Sequence, residues 1–279
     1  MSVCFGQNPD MSKRGWILAG AVVAVLISLL YWCKMRTREP SYHGKPLTFW
    51  LRQYAVAEAG LNPNSANEAK SAVHAIGTNA IPRCLELMRM RDSRWRKKLI
   101  PLTPPWWRGW MARDLAAQYR RWGSDGIAIL GPEAKAAVPA LVAQTRDSDA
   151  DVRYVAVYAL RCIGPGAAEA LPRMIECLND PEFTVRDDAI LALGTFQRAP
   201  EAVIPLLIRV LEATTNDAIL RSDAMASLAC FEGRAKSAGP SVSRFLNDSE
   251  PSAREVATNV LRRIDPEAAR KMGISTEGR

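Results

Sequence analysis

The sequence predicts an all-α protein, a solenoid of stacked helix pairs preceded by a single transmembrane helix, and three observations carry that prediction. An arginine-led apolar segment recurs at near-constant spacing, a proline-led segment recurs upstream of each copy, and one long uncharged run lies close to the amino terminus. Stacked pairs follow because no single pair can bury the apolar faces of both its helices.

The uncharged run is the first element. Residues 15–33, "GWILAGAVVAVLISLLYWC", hold no charge over nineteen residues, which at the helical rise spans about 28 Å against a hydrocarbon core of about 30 Å. Trp16 and Trp32 sit at its two ends, where interfacial aromatics belong. A cleaved signal peptide would need a small-x-small site, and "YWCKMRTREP" supplies none. The expectation is a 1–14 tail, a retained single-pass anchor over 15–33 and a basic juxtamembrane linker over 34–45. Lys34, Arg36, Arg38, Lys45 and Arg52 outnumber Lys13 and Arg14 across the run, a bias leaning towards a cytoplasmic main domain. Translation from Met11 would leave "MSKRG" ahead of the run and favour the opposite side, so the orientation stays open.

The repeat occupies the remainder. "DADVRYVAVYALRCIG" (149–164) is followed by "EFTVRDDAILALGTF", "AILRSDAMASLACF" and "SAREVATNVLRRI", aligned on Arg153, Arg186, Arg221 and Arg254. The third position after each arginine is alanine (Ala156, Ala189, Ala224, Ala257) and the seventh is leucine (Leu160, Leu193, Leu228, Leu261). The tenth is Ile163, Phe196, Phe231 or Ile264. Steps of three, four and three trace one helix face. Pro139, Pro172, Pro205 and Pro240 open the helix before each copy, where a missing amide hydrogen costs nothing. Asp147, Asp180 and Asp248 stand six residues before their arginines and mark the turn between the two helices. "LGPEAK" and "IGPGAA" then break the chain between units.

The run G-P-x-A…P-x-(L/M)…D…V-R-x-x-A-x-x-A-L from Gly131 to Ile264 resembles the short bacterial HEAT repeat, of the kind also found in phycobilisome-lyase-like proteins. The resemblance implies a right-handed α-solenoid over 46–279 of about five units, with second helices lining its concave face. It also implies an arginine ladder, in which each arginine of the column bonds an aspartate or carbonyl of its own or the neighbouring turn. "NEAKSAVHAIG" and "NAIPRCLELMRMRDS" read as weaker upstream copies, residues 46–60 as a capping helix, and the stretch near 93–110 as an insertion. "SYHGKPLTFWLRQY" reads as a turn into that capping helix, since its lone histidine has no second ligand and no phosphate-loop spacing.

Charge and composition limit the function. The formal net charge is +8, yet residues 123–279 hold eighteen basic and twenty-two acidic side chains, so the basicity gathers near the anchor. That placement suits a membrane surface, with anionic lipid headgroups as contacts, better than a nucleic-acid groove. Six cysteines without a Cys-x-x-Cys pair and two separated histidines indicate neither zinc nor a disulfide framework. No cofactor, metal or nucleic acid is expected.

Side chains that differ between copies on the second helices are the candidate partner-binding residues: Tyr154, Tyr158, Arg161, Asp187 and Glu255. Tyr154 and Tyr158, spaced i,i+4, lead because tyrosine gives contact area at small entropic cost. In the insertion, Trp106, Trp107 and Trp110 lie among arginines, a pattern that suits a bilayer interface or a loop folded back on the solenoid. The resulting expectation is a bacterial inner-membrane scaffold, not an enzyme, binding a protein partner through its concave face. The alternative is a HEAT-like enzyme or nucleic-acid module, bilin-lyase-like or DNA-glycosylase-like.

Overall fold

The computed structural model describes residues 39–62, 65–92, 101, 103–104, 114–213 and 217–275. The expected anchor at 15–33, the two tryptophans at its ends, and Trp106, Trp107 and Trp110 of the insertion lie outside these residues.

The chain enters through a miniature hairpin, a departure from the expected all-α fold and from a plain linker reaching residue 45. Strands β1 (Ser41–Tyr42) and β2 (Lys45–Pro46) pair antiparallel, and His43 and Gly44 both take positive φ, 49° and 71°. Two positive-φ residues make the tight turn whose twist matches paired strands. The hairpin is held to helix α1 (Leu47–Glu58) by Trp50, whose indole donates to the Tyr42 carbonyl at 3.3 Å, and by Glu39, which accepts from the Thr48 amide at 2.6 Å. Glu39 therefore satisfies one of the free amides at the helix start.

Twelve further helices follow among the described residues. They are α2 (Ser65–Ile76), α3 (Ile81–Met88), α4 (Leu115–Leu130), α5 (Val138–Gln144), α6 (Ala150–Ile163) and α7 (Leu171–Cys177). After them come α8 (Phe183–Phe196), α9 (Pro200–Glu212), α10 (Ala218–Ala229), α11 (Gly239–Ser243), α12 (Pro251–Ile264) and α13 (Pro266–Lys271). Helix α1 pairs with α2, so the segment expected to be a lone cap is half of a repeat, and α1 to α12 form six pairs where about five were expected.

The three sequence columns are the core. Ala156, Ala189, Ala224 and Ala257 have no exposed surface, nor do Leu160, Leu193, Leu228 and Leu261, while Ile163, Phe196, Phe231 and Ile264 are at most 1% exposed. Second helices α4, α6, α8, α10 and α12 pack on one another in series. Consecutive first helices meet mainly through the 3-10 turns between units. Rods closer together on one side than the other curve the stack, with the second helices inside.

Helices α4, α6, α8 and α10 are each followed by one left-handed residue, eleven positions after Arg120, Arg153, Arg186 and Arg221 respectively. Gly131, Gly164, Gln197 and Glu232 have φ of 52°, 70°, 51° and 51°. The helical run Leu115–Gln144 is long and apolar enough to cross a membrane by length and composition alone. Gly131, at φ 52° and ψ −125°, breaks it into separate helices, and its apolar side packs within the repeat core.

Candidate interaction surface

The arginine column binds the turns. Arg153 donates from Nε and Nη2 to both carboxylate oxygens of Asp180, each at 2.8 Å, and from Nη1 to the Asp147 carbonyl at 3.0 Å. Arg186 donates to the Asp180 carbonyl at 2.8 Å, and Arg254 to the Asp248 carbonyl at 2.7 Å. In the same turns the Oδ1 atoms of Asp147, Asp180 and Asp248 accept the amides of Asp149, Glu182 and Glu250 at 2.8 to 2.9 Å. Each aspartate thus folds its own turn with its side chain and presents its carbonyl to the arginine six residues on. Arg221 lines a cavity together with Asp248 of the next turn. The Arg153 bond prevails over the cost of burial at Asp180, holding that carboxyl below its usual range.

Sequence reasoning missed a fifth member. Arg120 lies thirty-three residues before Arg153 and is 4% exposed, donating to the Met90 carbonyl at 2.9 Å and reaching Asp149 and Asp151 of the next unit. The insertion displaces the turn whose carbonyl accepts from the arginine from six residues upstream to thirty. Its spacing from Arg153 was the available signal; the missing Ala/Leu register around it concealed the match.

On the inner face, Tyr154 and Tyr158 stand with ring centroids 6.4 Å apart. They line a cavity of about 340 Å³ between α4 and α6, with Arg120, Arg121, Ser124, Asp125 and Asp151 on its other sides. Arg161 is placed differently from a free contact residue. Its Nε donates to Asp188 on α8 at 2.7 Å and its guanidinium lies 5.1 Å from the Tyr158 ring centre, so it ties α6 to α8. Asp187 is half-buried, with Oδ1 enclosed, and interacts with Asp223 on α10. Glu255 is exposed on α12, two second helices beyond α8 and away from the tyrosine cavity.

Three carboxyls on this face are driven towards the neutral form. Burial, together with Asp187, pushes Asp223 up to about 7. Burial raises Asp125 to about 6 against the opposing charge of Arg121, with Glu58 adding to the rise. Burial also outweighs Arg161 at Asp188, which is raised. Sequence spacing gave no sign of this acid strip, because Asp125, Asp188 and Asp223 come from three repeats. No group of His, Cys, Asp and Glu among the described residues has a metal-binding arrangement. Cys84 and Cys177 are buried thiols, raised to about 12 and about 11 by desolvation, and so are poor nucleophiles.

With this geometry in place, the comparisons with known proteins concern the scaffold. No curated protein matches the chain in sequence. A designed armadillo repeat protein in complex with the peptide (KR)4 is similar over 78% of this chain and 99% of its own, at 16% identity and a TM-score of 0.47. Kap121p is similar over 78% of this chain at 18% identity and a TM-score of 0.49, and the chain spans only 25% of it. A computationally designed armadillo repeat protein for modular peptide recognition is similar over 66% of this chain and all of its own, at 16% identity and a TM-score of 0.43. Residues 138–229, from the start of α5 to the end of α10, match the family model described as HEAT repeats, in agreement with the helix pairs, turns and arginine column found there.

Proposed function

We propose that this chain is a membrane-anchored HEAT-repeat scaffold that binds a protein partner through the inner face of its solenoid, without catalysing a reaction. One observation supports this most. The core and the arginine column repeat from unit to unit, while the outward positions of the second helices change, and the changing positions on α4 and α6 surround the Tyr154–Tyr158 cavity. Uniform scaffold with variable inner side chains is what repeat proteins use to recognise other polypeptides. The uncharged residues 15–33 support the anchoring, and the basic juxtamembrane residues support contact with anionic headgroups. The acid strip on the inner face opposes a phosphate backbone there, which weighs against the nucleic-acid alternative.

Crosslinking on intact membranes followed by affinity capture tests the reading. The expected result is a specific neighbour with the wild-type chain that is lost when Tyr154 and Tyr158 are both changed to alanine. A neighbour retained by that double variant, or none with wild type, would remove the inner-face reading.

A further inference from the structure

We propose that the cavity between α4 and α6 receives a single cationic side chain, arginine or lysine, from an extended segment of the partner polypeptide. The proposal rests on the scaffold reading and names the chemistry of its partner.

The charges on the inner face do not cancel. Arg120 is matched by Asp149 and Asp151, and Arg161 by Asp188. Arg121, exposed and one turn before Asp125, is left to face Asp125, while Arg161, already bonded to Asp188, is the cation beside the Asp187 and Asp223 pair. Asp125 lines the cavity and makes no hydrogen bond or ion pair among the described residues. A half-buried carboxylate in that condition has lost more hydration than the charge of exposed Arg121 returns, so an incoming guanidinium or ammonium group in direct contact would restore what burial removed.

The walls fit the same ligand. Tyr154 and Tyr158 offer π faces, which attract cations. Arg161 already rests on the Tyr158 ring at 5.1 Å, whereas no cation among the described residues lies over Tyr154. A cavity of about 340 Å³ is at the small end for ligand pockets, adequate for one long side chain. Beyond the pocket, Asp187 and Asp223 on α8 and α10 continue the acidic surface for basic residues flanking the inserted one. Their mutual repulsion is relieved by any cation that settles between them.

Binding of fluorescent probes to the full chain in neutral detergent tests the proposal. One probe is a nonapeptide alternating glycine and arginine, and the other replaces every arginine with citrulline, which keeps the shape and removes the charge. The expected result is saturable binding of the arginine peptide alone, weakened about tenfold or more by Asp125→Asn and by Tyr154→Ala. Glu169→Gln, an exposed acid in the 3-10 turn between units and outside the cavity, should leave the affinity unchanged. Asp125→Asn is isosteric, and its melting temperature reports that the fold is kept. Equal binding of the citrulline peptide, equal weakening by Glu169→Gln, wild-type affinity in Asp125→Asn, or no binding of either peptide would each overturn it. Partner capture that needs Tyr154 and Tyr158 but is indifferent to Asp125→Asn would retain the scaffold and discard the cation pocket.

Discussion

Arg153 places its guanidinium fork on both carboxylate oxygens of Asp180 while bonding the Asp147 carbonyl, so one side chain ties its own turn to the turn of the next repeat. Arg186, one unit on, bonds the Asp180 and Pro181 carbonyls of its own turn. The ladder is therefore graded in strength rather than uniform. Without Arg153 the Asp180 carboxylate would keep only the Glu182 amide, and a little-exposed carboxylate that loses its cation is costly.

Arg153→Ala should cost about 3 kcal/mol of stability, and Arg186→Ala about 1 kcal/mol, with partner capture unchanged in the folded fraction. Arg153→Lys should rescue little, because an ammonium group cannot form the bidentate fork. Chemical denaturation of the three variants measures this. Equal losses for Arg153→Ala and Arg186→Ala would mean that the Asp180 carboxylate contributes nothing to the joint between repeats.

The left-handed helix ends predict a gain in stability. Gln197 and Glu232 occupy the position filled by glycine in Gly131 and Gly164, at φ near 51°, a conformation that costs an L-residue about 1 kcal/mol or more. Glu232→Gly should therefore stabilise by about 1 kcal/mol, since its exposed ion pair with Arg263 spans 3.9 Å and adds little. Gln197→Gly should act in the same direction. A fall in melting temperature for both variants would contradict the assignment.

Three glycines that carry no left-handed strain should respond with opposite signs. A Cβ on Gly126 would stand 2.5 Å from the Cys84 sulfur, and one on Gly194 would stand 2.7 Å from the Ser227 Cα, whereas one on Gly233 would meet nothing within 4 Å. Gly126→Ala and Gly194→Ala should each cost about 1–3 kcal/mol by forcing α3 from α4 and α8 from α10. Gly233→Ala should be neutral or mildly stabilising. Thermal melts of the three single variants separate close helix approach from simple backbone freedom.

The raised carboxyls fix a pH dependence. Asp125 and Asp223 hold their protons in the folded state to about 6 and about 7, after the unfolded chain has released them near 4. The folded state then binds more protons, so the contribution of these groups to stability falls as pH rises from about 4 to about 7. Asp223→Asn should raise the melting temperature at pH 8 and make little difference at pH 4. Solvent screening at this half-exposed site limits the gain to about 1 kcal/mol. An advantage for Asp223→Asn that grew on acidification would reverse the sign of the argument.

Much of the repeat was legible before any coordinates. The Ala, Leu and Ile/Phe columns name the core, because a helix buried on one face must repeat its apolar residues at that face's spacing. The aspartate six residues before Arg153, Arg186 and Arg254 was legible as the turn for a similar reason, since a six-residue interval suits a local bond. Arg120 and the pairing of α1 with α2 were not, because Gly123 and Ile127 break the Ala/Leu register after the first and the weak register of residues 46–76 conceals the second. Arg161 was read as a contact residue, since its bond to Asp188 crosses between helices twenty-seven residues apart, a relation that periodicity within one copy does not express.

Sequence alone determined the two-helix unit, its period, its buried columns and the uncharged run at 15–33, because each depends on contacts within one unit or on local apolarity. Tertiary structure decided which charged groups on the inner face cancel and which remain. Asp125, Asp187 and Asp223 become neighbours of the tyrosine cavity only when α4, α6, α8 and α10 are stacked, and the field at a carboxylate depends on what lies near it in space, whatever the distance along the chain.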